Sequence, residues 1–296
     1  ESWRECFDCG EVAETTIEVN PEDMTPKKAE AFISLDVTRV SIGIQSFQEK
    51  NLKVLGRKHS PAEARQAVDY LQKAGCRNIN VDLIFGLPGQ GQEDLDADLD
   101  TILNIDVQHV SLYALTVEPC SCFYVQRVEE KDGEMQARFY EQIIGKLASA
   151  GFIQYEVSNF SRPGYESRHN VNYWQGGNYF GVGMAAHSHR DGYRSWNVDR
   201  LDRYLQVMQE GGPPRVGEEQ LAPPQRLSEA LVLGLRMTAG VDLPGLEQRF
   251  GVFFSQEQRA QIEMLVQNGF LEQEGNVLRT TLKGRKVLDS LAVRLV

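Results

Sequence analysis

Three segments of this chain alternate between aliphatic and polar residues, and helix-like stretches separate them: TTIEVN (15–20), RVSIGIQ (39–45) and NINVDLIFG (78–86). Side chains on a strand point to opposite faces with a period of two. Thr16, Glu18 and Asn20 therefore share one face of the first segment, with Ile17 and Val19 on the other. In the second, Arg39, Ser41, Gly43 and Gln45 oppose Val40, Ile42 and Ile44. In the third, Asn78, Asn80 and Asp82 oppose Ile79, Val81 and Leu83. HVSLYALT (109–116) and FIQYEVS (152–158) continue the series to five strands.

The intervening stretches carry helix punctuation. SPAEARQAVDYLQKAG offers Ser60 as N-cap, Pro61 at the first helical position, Glu63 to complete a capping box and Gly75 as terminator. TPKKAEAFISL opens on Thr25-Pro26 in the same way, and residues 93–104 and 134–151 supply two more helices. Strand and helix in strict alternation imply right-handed parallel crossovers, so the class is α/β, either an open sheet or a whole or partial (β/α) barrel.

Amphipathic helices need an apolar surface to cover, which places the aliphatic faces beneath them and turns the polar faces inward. A closed eight-stranded barrel fills its interior with Val, Ile and Leu. A polar interior instead calls for space, water or a polar ligand. Ligands in such folds sit at the carboxyl ends of the strands, where Glu18, Asn20, Gln45 and Asp82 all fall. A pair of carboxylates suits an ammonium or a ribose diol, and Gln45 suits an amide or a carboxylate. The same residues are also suited to satisfying one another, as buried polar groups must.

From residue 211 the pattern changes. After GGPPRVGEEQLAPPQ come three helical stretches, two short apolar runs and a last helix, the order of a winged-helix domain. Residues 1–210 are read as the remainder of a barrel and 211–296 as a C-terminal accessory domain. The recognition-helix candidate EQRAQIEML has no basic excess, and a net charge of −11 argues against nucleic acid or anionic membrane. No apolar run reaches the ~18 residues of a spanning helix. The five cysteines, Cys6, Cys9, Cys76, Cys120 and Cys122, are odd in number and irregular in spacing, which fits a reducing cytoplasm better than a disulfide framework. No metal site is expected from them.

ETTIEVNP, RVSIGIQSF, LGRKHS, NVDLIFGLPGQ, SLYALTVEP, YEVSNFSRPG and HNVNYWQGG follow one another in order. Together they resemble the oxygen-independent coproporphyrinogen III oxidase family of radical S-adenosylmethionine (SAM) proteins, and most closely its HemW-type branch, regarded as haem chaperones. The resemblance implies a partial (β/α)6 barrel whose first two βα units are missing here, followed by the small accessory domain. It implies that Glu18 holds the aminoacyl end of SAM, that Gln45, Arg57 and Asp82 line the SAM pocket, with Asp82 on a ribose hydroxyl, and that Arg57 pairs with a carboxylate. It also implies haem as ligand at H-N-x-x-Y-W, that is His169, Asn170, Tyr173 and Trp174, and acceptor haemoproteins as partners. An imidazole beside two large rings suits a flat porphyrin, as one axial ligand and two stacking surfaces. His187 and His189 are secondary candidates, and His59 and His109 are read as structural.

The family's C-x-x-x-C-x-x-C motif for a [4Fe–4S] cluster does not occur here, nor does its Gly-Gly-Thr-Pro stretch. Cys6 and Cys9 are no substitute for three thiolates. With Glu1 in place of an initiating Met, the expectation is a chain cut upstream that does not cleave SAM by itself. Besides the chaperone, two readings remain: an oxidase that decarboxylates coproporphyrinogen III with a SAM-derived radical, and an inert fragment.

Overall fold

The computed structural model describes residues 11–119, 121–129 and 131–296. They divide into two compact units, one ending at Arg168 and the other running from His169 to Val296. Cys6, Cys9 and Cys120 lie outside the described residues.

The first unit is built on one sheet of six strands: β1 (Thr16–Val19), β2 (Arg39–Gln45), β3 (Ile79–Phe85), β4 (His109–Ala114), β5 (Ile153–Gln154) and β6 (Asn159–Ser161), in the order β1-β2-β3-β4-β6-β5. The first four run parallel. Helices α1 (Pro26–Ser34), α2 (Glu49–Val54), α3 (Pro61–Lys73), α4 (Gln92–Asn104), α5 (Cys122–Val125) and α6 (Gly133–Ser149) connect them, and α7 (Arg168–Trp174) begins where the unit ends. The sequence punctuation is realised in detail. Ser60 and Glu63 close a reciprocal capping box on α3, and Thr25 caps α1 by accepting the Lys28 amide.

The sheet departs from the sequence pattern at its far edge. FIQYEVS does not form a fifth parallel strand. The chain turns between Tyr155 and Ser158 and returns as β6, antiparallel to both β4 and β5. The turn forms around the fully buried Glu156, whose carboxylate accepts the Ser158 amide at 2.9 Å and the Asn159 side chain at 2.5 Å. A charge of this kind needs donors close by in sequence, and a tight turn supplies them where a straight strand does not.

The aliphatic faces are where periodicity puts them. Val40, Ile42, Ile44, Ile79, Val81 and Val110 are fully buried together with Leu71 of α3, Leu99 of α4 and Ile143 and Leu147 of α6. Each such side chain contributes roughly 1.5–3 kcal/mol by leaving water. This fixes the opposite, polar face of β1–β4 as the side away from the helices.

The second unit opens with an antiparallel meander, β7 (His187–Arg190), β8 (Tyr193–Asn197) and β9 (Arg215–Gln220), with α8 (Leu201–Gln209) between the last two strands. Sequence periodicity did not announce this sheet. Its strands are short and polar, and the Trp196 indole packs across Gly217, where a Cβ would come within 2.2 Å of the ring. Next come α9 (Pro223–Gly234), β10 (Val241–Asp242), α10 (Leu243–Phe250), α11 (Gln256–Gln267), β11 (Leu271–Glu274), β12 (Val277–Thr280), α12 (Leu282–Arg285) and α13 (Leu288–Leu295). Helix, strand, helix, helix and a two-stranded wing is the winged-helix order, with β10 pairing onto β12. Gly251, at φ 69°, ends α10 in the left-handed conformation that favours glycine, and Ser255 caps α11. No helix among the described residues is long and apolar enough to cross a membrane.

Candidate functional site

Strand register lines up polar residues across the sheet. Glu18 pairs with Ser41, Ser41 with Asn80, Asn80 with His109 and His109 with Ser161, so one continuous row on the polar face crosses five strands. A second row runs from Asp82 to Ser111 to Asn159. The rows grade from dry to wet. His109 and Ser161 are 0% exposed, Asn80 is 2% and Ser41 is 7%, while Asp82 is half-buried and Glu18 is exposed.

The charge on Asp82 is tolerated because both of its oxygens are served. Ser41 Oγ donates to Oδ2 at 2.9 Å and Asn80 Nδ2 donates to Oδ1 at 2.7 Å. Asn80 also donates to Ser41 Oγ at 2.7 Å, which closes a triangle. The inner part of the polar face therefore satisfies itself, and its carboxyl-end rim, at Asp82, Gln45, Asn20 and Glu18, is the side that meets solvent.

Gly43 forms the floor of that rim. A Cβ built there would meet Gln45 Nε2 at 3.0 Å, Arg57 Nη2 at 3.5 Å and Asn20 Oδ1 at 3.8 Å, so three polar side chains converge over a residue with none. Arg57 Nη2 donates to Asn20 Oδ1 and to the Gly43 carbonyl, each at 2.7 Å, while its Nε is buried without a hydrogen-bond partner. The register of β2 against β3 slips between Ile42 and Gln45, and Gln45 takes φ 72°. A left-handed non-glycine residue costs on the order of 1–3 kcal/mol and gathers at functional sites. The loop after it is held by buried Asp98 on α4, which accepts Ser46 Oγ and the Phe47 amide at 2.7 Å and Gln48 Nε2 at 3.1 Å. Burial raises the Asp98 carboxyl above its ordinary range, and these donors oppose the rise.

His59 and His109 are both structural in their contacts. His59 bridges the Ile44 carbonyl at 3.0 Å and Glu22 at 3.1 Å. His109 lies between Asn80 and the Tyr155 hydroxyl. Tyr113 is a further residue of the polar face, one that the sequence reading passed over. Burial first and then the charge on Asp82 raise its phenol, and a hydrogen bond with Ser111 opposes the rise. The signal was present, because HVSLYALT continues the same alternation and puts His109, Ser111 and Tyr113 on the polar face.

In the second unit, His169, Asn170, Tyr173 and Trp174 all lie on α7. The spacing of four puts His169 beside Tyr173, their ring centroids 4.7 Å apart and edge to face. Tyr173 continues to Tyr179 at 4.6 Å, and Tyr179 to His189 at 5.9 Å, forming a string of four rings. Trp174 is directed elsewhere, under the Arg236 guanidinium at 4.4 Å, with its indole nitrogen buried and without a hydrogen-bond partner. The motif therefore divides: His169 and Tyr173 pack edge to face, and Trp174 anchors the helix from another side. His189 is committed to the Gly177 carbonyl and the Gly192 amide, and the exposed His187 stacks on Trp196 at 6.0 Å.

These residues fit some of the groups expected and not others. The rim offers the carboxylates of Glu18 and Asp82, and over the bare Gly43 floor the Gln45 amide and the Arg57 guanidinium, a set of groups matched to an amino-acid-bearing nucleoside such as SAM. Asp82 retains lone pairs for a diol. For an iron–sulfur cluster the described residues offer no cradle. The Cys76 thiol is buried, raised by that burial and directed at the Asn78 carbonyl, Cys122 is exposed on α5, and no group of three His, Cys, Asp or Glu among the described residues is placed to hold a metal ion.

Residues 3–102 match the radical SAM superfamily model and residues 221–287 match the HemN C-terminal domain. The heme chaperone HemW of Bacillus subtilis is 32% identical over 279 residues, covering 93% of this chain and 74% of that protein. The HemW of Mycobacterium tuberculosis is 35% identical over 288 residues, covering 96% and 72%. A mitochondrial radical S-adenosyl methionine domain-containing protein 1 of Danio rerio is 34% identical, covering 95% and 67%. Among solved structures, the coproporphyrinogen III oxidase HemN of Escherichia coli superposes with a TM-score of 0.82 at 19% identity, over 96% of this chain and 69% of that one, a likeness of fold.

Proposed function

Because the chain belongs to the HemW-type branch of the radical SAM superfamily, we propose that it is a haem chaperone with two ligand sites, one for haem on α7 and one for SAM on the carboxyl-end rim of the first unit's sheet. The observation that carries the reading is the placement of His169 on an exposed helix edge with Tyr173 packed against it at 4.7 Å. An imidazole whose neighbour is an aromatic edge approaches a porphyrin iron with one side already screened from water. His169 is the axial ligand, Tyr173 the stacking surface, and Asn170 and Trp174 complete the motif.

At the other site Asp82 accepts the ribose hydroxyls, and the exposed carboxylate of Glu18 takes the ammonium of the aminoacyl end. Gln45 and Arg57 face its carboxylate. Arg57 acts chiefly through its charge, since its Nη2 already ties Asn20 to Gly43. The [4Fe–4S] cluster of the family is not assigned to any described residue. Haem passes to acceptor haemoproteins in the cytoplasm, with no nucleic acid as partner and no integral membrane segment read in the chain. Residues 211–296 serve as an accessory domain.

Titration of the chain with haem, followed at the Soret band, tests the reading. His169→Ala should shift the band and weaken uptake at least tenfold, and an unaltered titration would remove His169 from the assignment. Asp82→Ala or Gln45→Ala should weaken SAM binding and leave haem uptake unchanged. Turnover of coproporphyrinogen III would reverse the order of chaperone and oxidase.

A further inference from the structure

Behind Asp82 the polar face contains a chain of hydrogen bonds whose direction follows from chemistry alone. A carboxylate accepts and does not donate, so the Asn80 atom 2.7 Å from Asp82 Oδ1 is its amide nitrogen. The Asn80 carbonyl oxygen then faces His109 Nδ1 at 2.5 Å, where it also accepts from Ser111 Oγ at 3.2 Å. A carbonyl oxygen needs a donor, which puts the imidazole proton on Nδ1. His109 is fully buried, and burial first and the nearby Arg39 charge second hold it well below the usual imidazole range, so the ring is neutral. Its Nε2 is then an acceptor, and the Tyr155 hydroxyl, 2.9 Å away, donates to it. The Tyr155 oxygen in turn accepts the Ser167 amide at 3.4 Å. From Tyr155 through His109 and Asn80 every donor points toward Asp82.

We propose that His109 and Tyr155 are positioning residues for the Asp82 carboxylate, holding Asn80 in the one amide orientation that serves it. The proposal rests on the reading of Asp82 as the ligand-binding carboxylate. The geometry leaves Asn80 no stable alternative. Flipped, its oxygen would oppose the Asp82 carboxylate at hydrogen-bond distance, a mismatch that no tautomer of His109 relieves. The aligned donors polarise one another toward the carboxylate and fix both of its oxygens in the rim. A diol then meets preset lone pairs, and less conformational freedom is lost on binding.

The chain is tested in two independent ways on the full 296-residue protein. The first is the ring tautomer, read from 15N-labelled histidine by long-range proton–nitrogen correlation. His109 should show a protonated Nδ1 and a bare Nε2 from about pH 5.5 to 8, and Tyr155→Phe should move only the Nε2 resonance. A protonated Nε2, or a ring that titrates in that window, overturns the proposal. The second is equilibrium binding of SAM. Asp82→Ala should weaken it by thirtyfold or more. His109→Leu, which removes both ring nitrogens, should weaken it about tenfold. His109→Asn, whose amide NH2 replaces the Nδ1–H donor, should recover most of that loss, and the thermal midpoints of the two variants are compared to confirm folding. Equal loss in the Leu and Asn variants overturns the positioning role and leaves the Asp82 reading standing. Unchanged binding in Asp82→Ala overturns that reading and the proposal with it.

Discussion

Arg57 Nη2 lies 2.7 Å from the carbonyl oxygen of Gly43 and so ties a loop to the last turn of β2. The same nitrogen meets Asn20 at the end of β1. Two residues on, His59 makes the same kind of double contact, with the Ile44 carbonyl and with Glu22. The R-x-H segment thus clasps the carboxyl ends of two neighbouring strands, each residue bonding one side chain beyond β1 and one main-chain carbonyl of β2. This clasp sits where β2 slips register and Gln45 turns left-handed, and it offsets the strain of that bulge.

Removing the clasp should destabilise the first unit. Arg57→Ala deletes two charge-assisted hydrogen bonds and leaves the Gly43 carbonyl without this donor, at a cost of about 1–3 kcal/mol. Arg57→Lys should recover only part, because one ammonium replaces a planar fork. Urea denaturation of the three proteins checks this, and a loss below about 0.5 kcal/mol in Arg57→Ala would mean the clasp carries no strain.

Gly43→Ala separates the floor of the rim from its support. The added Cβ would crowd only Gln45 Nε2, the end of a flexible side chain, with Arg57 and Asn20 at ordinary contact. Stability should change by less than about 1 kcal/mol, while SAM binding should weaken severalfold because Gln45 is displaced from the rim. Unchanged SAM affinity would place the ligand elsewhere.

The sequence exposed the first unit well and the second poorly, for a physical reason. Ile17, Val19, Val40, Ile42, Ile44, Ile79, Val81 and Leu83 alternate strictly because helices cover them on one side, and that alternation also revealed Ser41, Asn80 and Asp82. β7, β8 and β9 have no comparable signal. Trp196 packs on Gly217 and not into an aliphatic layer, and His187, His189 and Arg194 occupy positions a core-facing strand would fill with Val or Ile. The antiparallel return at β6 depends on Glu156, a lone charge in a hydrophobic run whose partners, Ser158 and Asn159, become evident only once the chain has turned. The direction of the chain behind Asp82 was likewise hidden, because it is set by which atoms face one another and not by any spacing.

Asp98 gives a pH-dependent prediction. Burial raises its carboxyl in the folded protein, so folding favours the protonated form. Its contribution is complete below the unfolded value of about 3.9 and is lost as pH rises through the folded one. Asp98→Asn is neutral at every pH and keeps an oxygen for the Phe47 amide. The variant should therefore gain on the wild type as pH rises from about 4 to 7, read as the difference in urea midpoints. A difference that stays constant with pH, or moves the other way, would mean the donors from Ser46, Phe47 and Gln48 outweigh burial.

Arg249 supplies the last prediction. Its Nη1 and Nη2 donate to the carbonyls of Gln175 and Gly176 at 2.9 and 3.0 Å, immediately past the end of α7. A seven-residue helix has too few internal hydrogen bonds to be stable alone, so α7 depends on this fork and on the stack of Arg236 over Trp174. A guanidinium at a helix C-terminus satisfies otherwise unpaired carbonyls and opposes the negative end of the helix dipole. Arg249→Ala should therefore loosen α7, lowering stability by about 1–2 kcal/mol and weakening haem uptake severalfold, although Arg249 is not one of the assigned haem ligands. Arg249→Lys should retain the charge and lose the paired geometry, giving an intermediate result. If Arg249→Ala lowers the thermal midpoint but leaves the Soret titration of His169 unaltered, the fork supports the fold alone and the haem site does not depend on the order of α7.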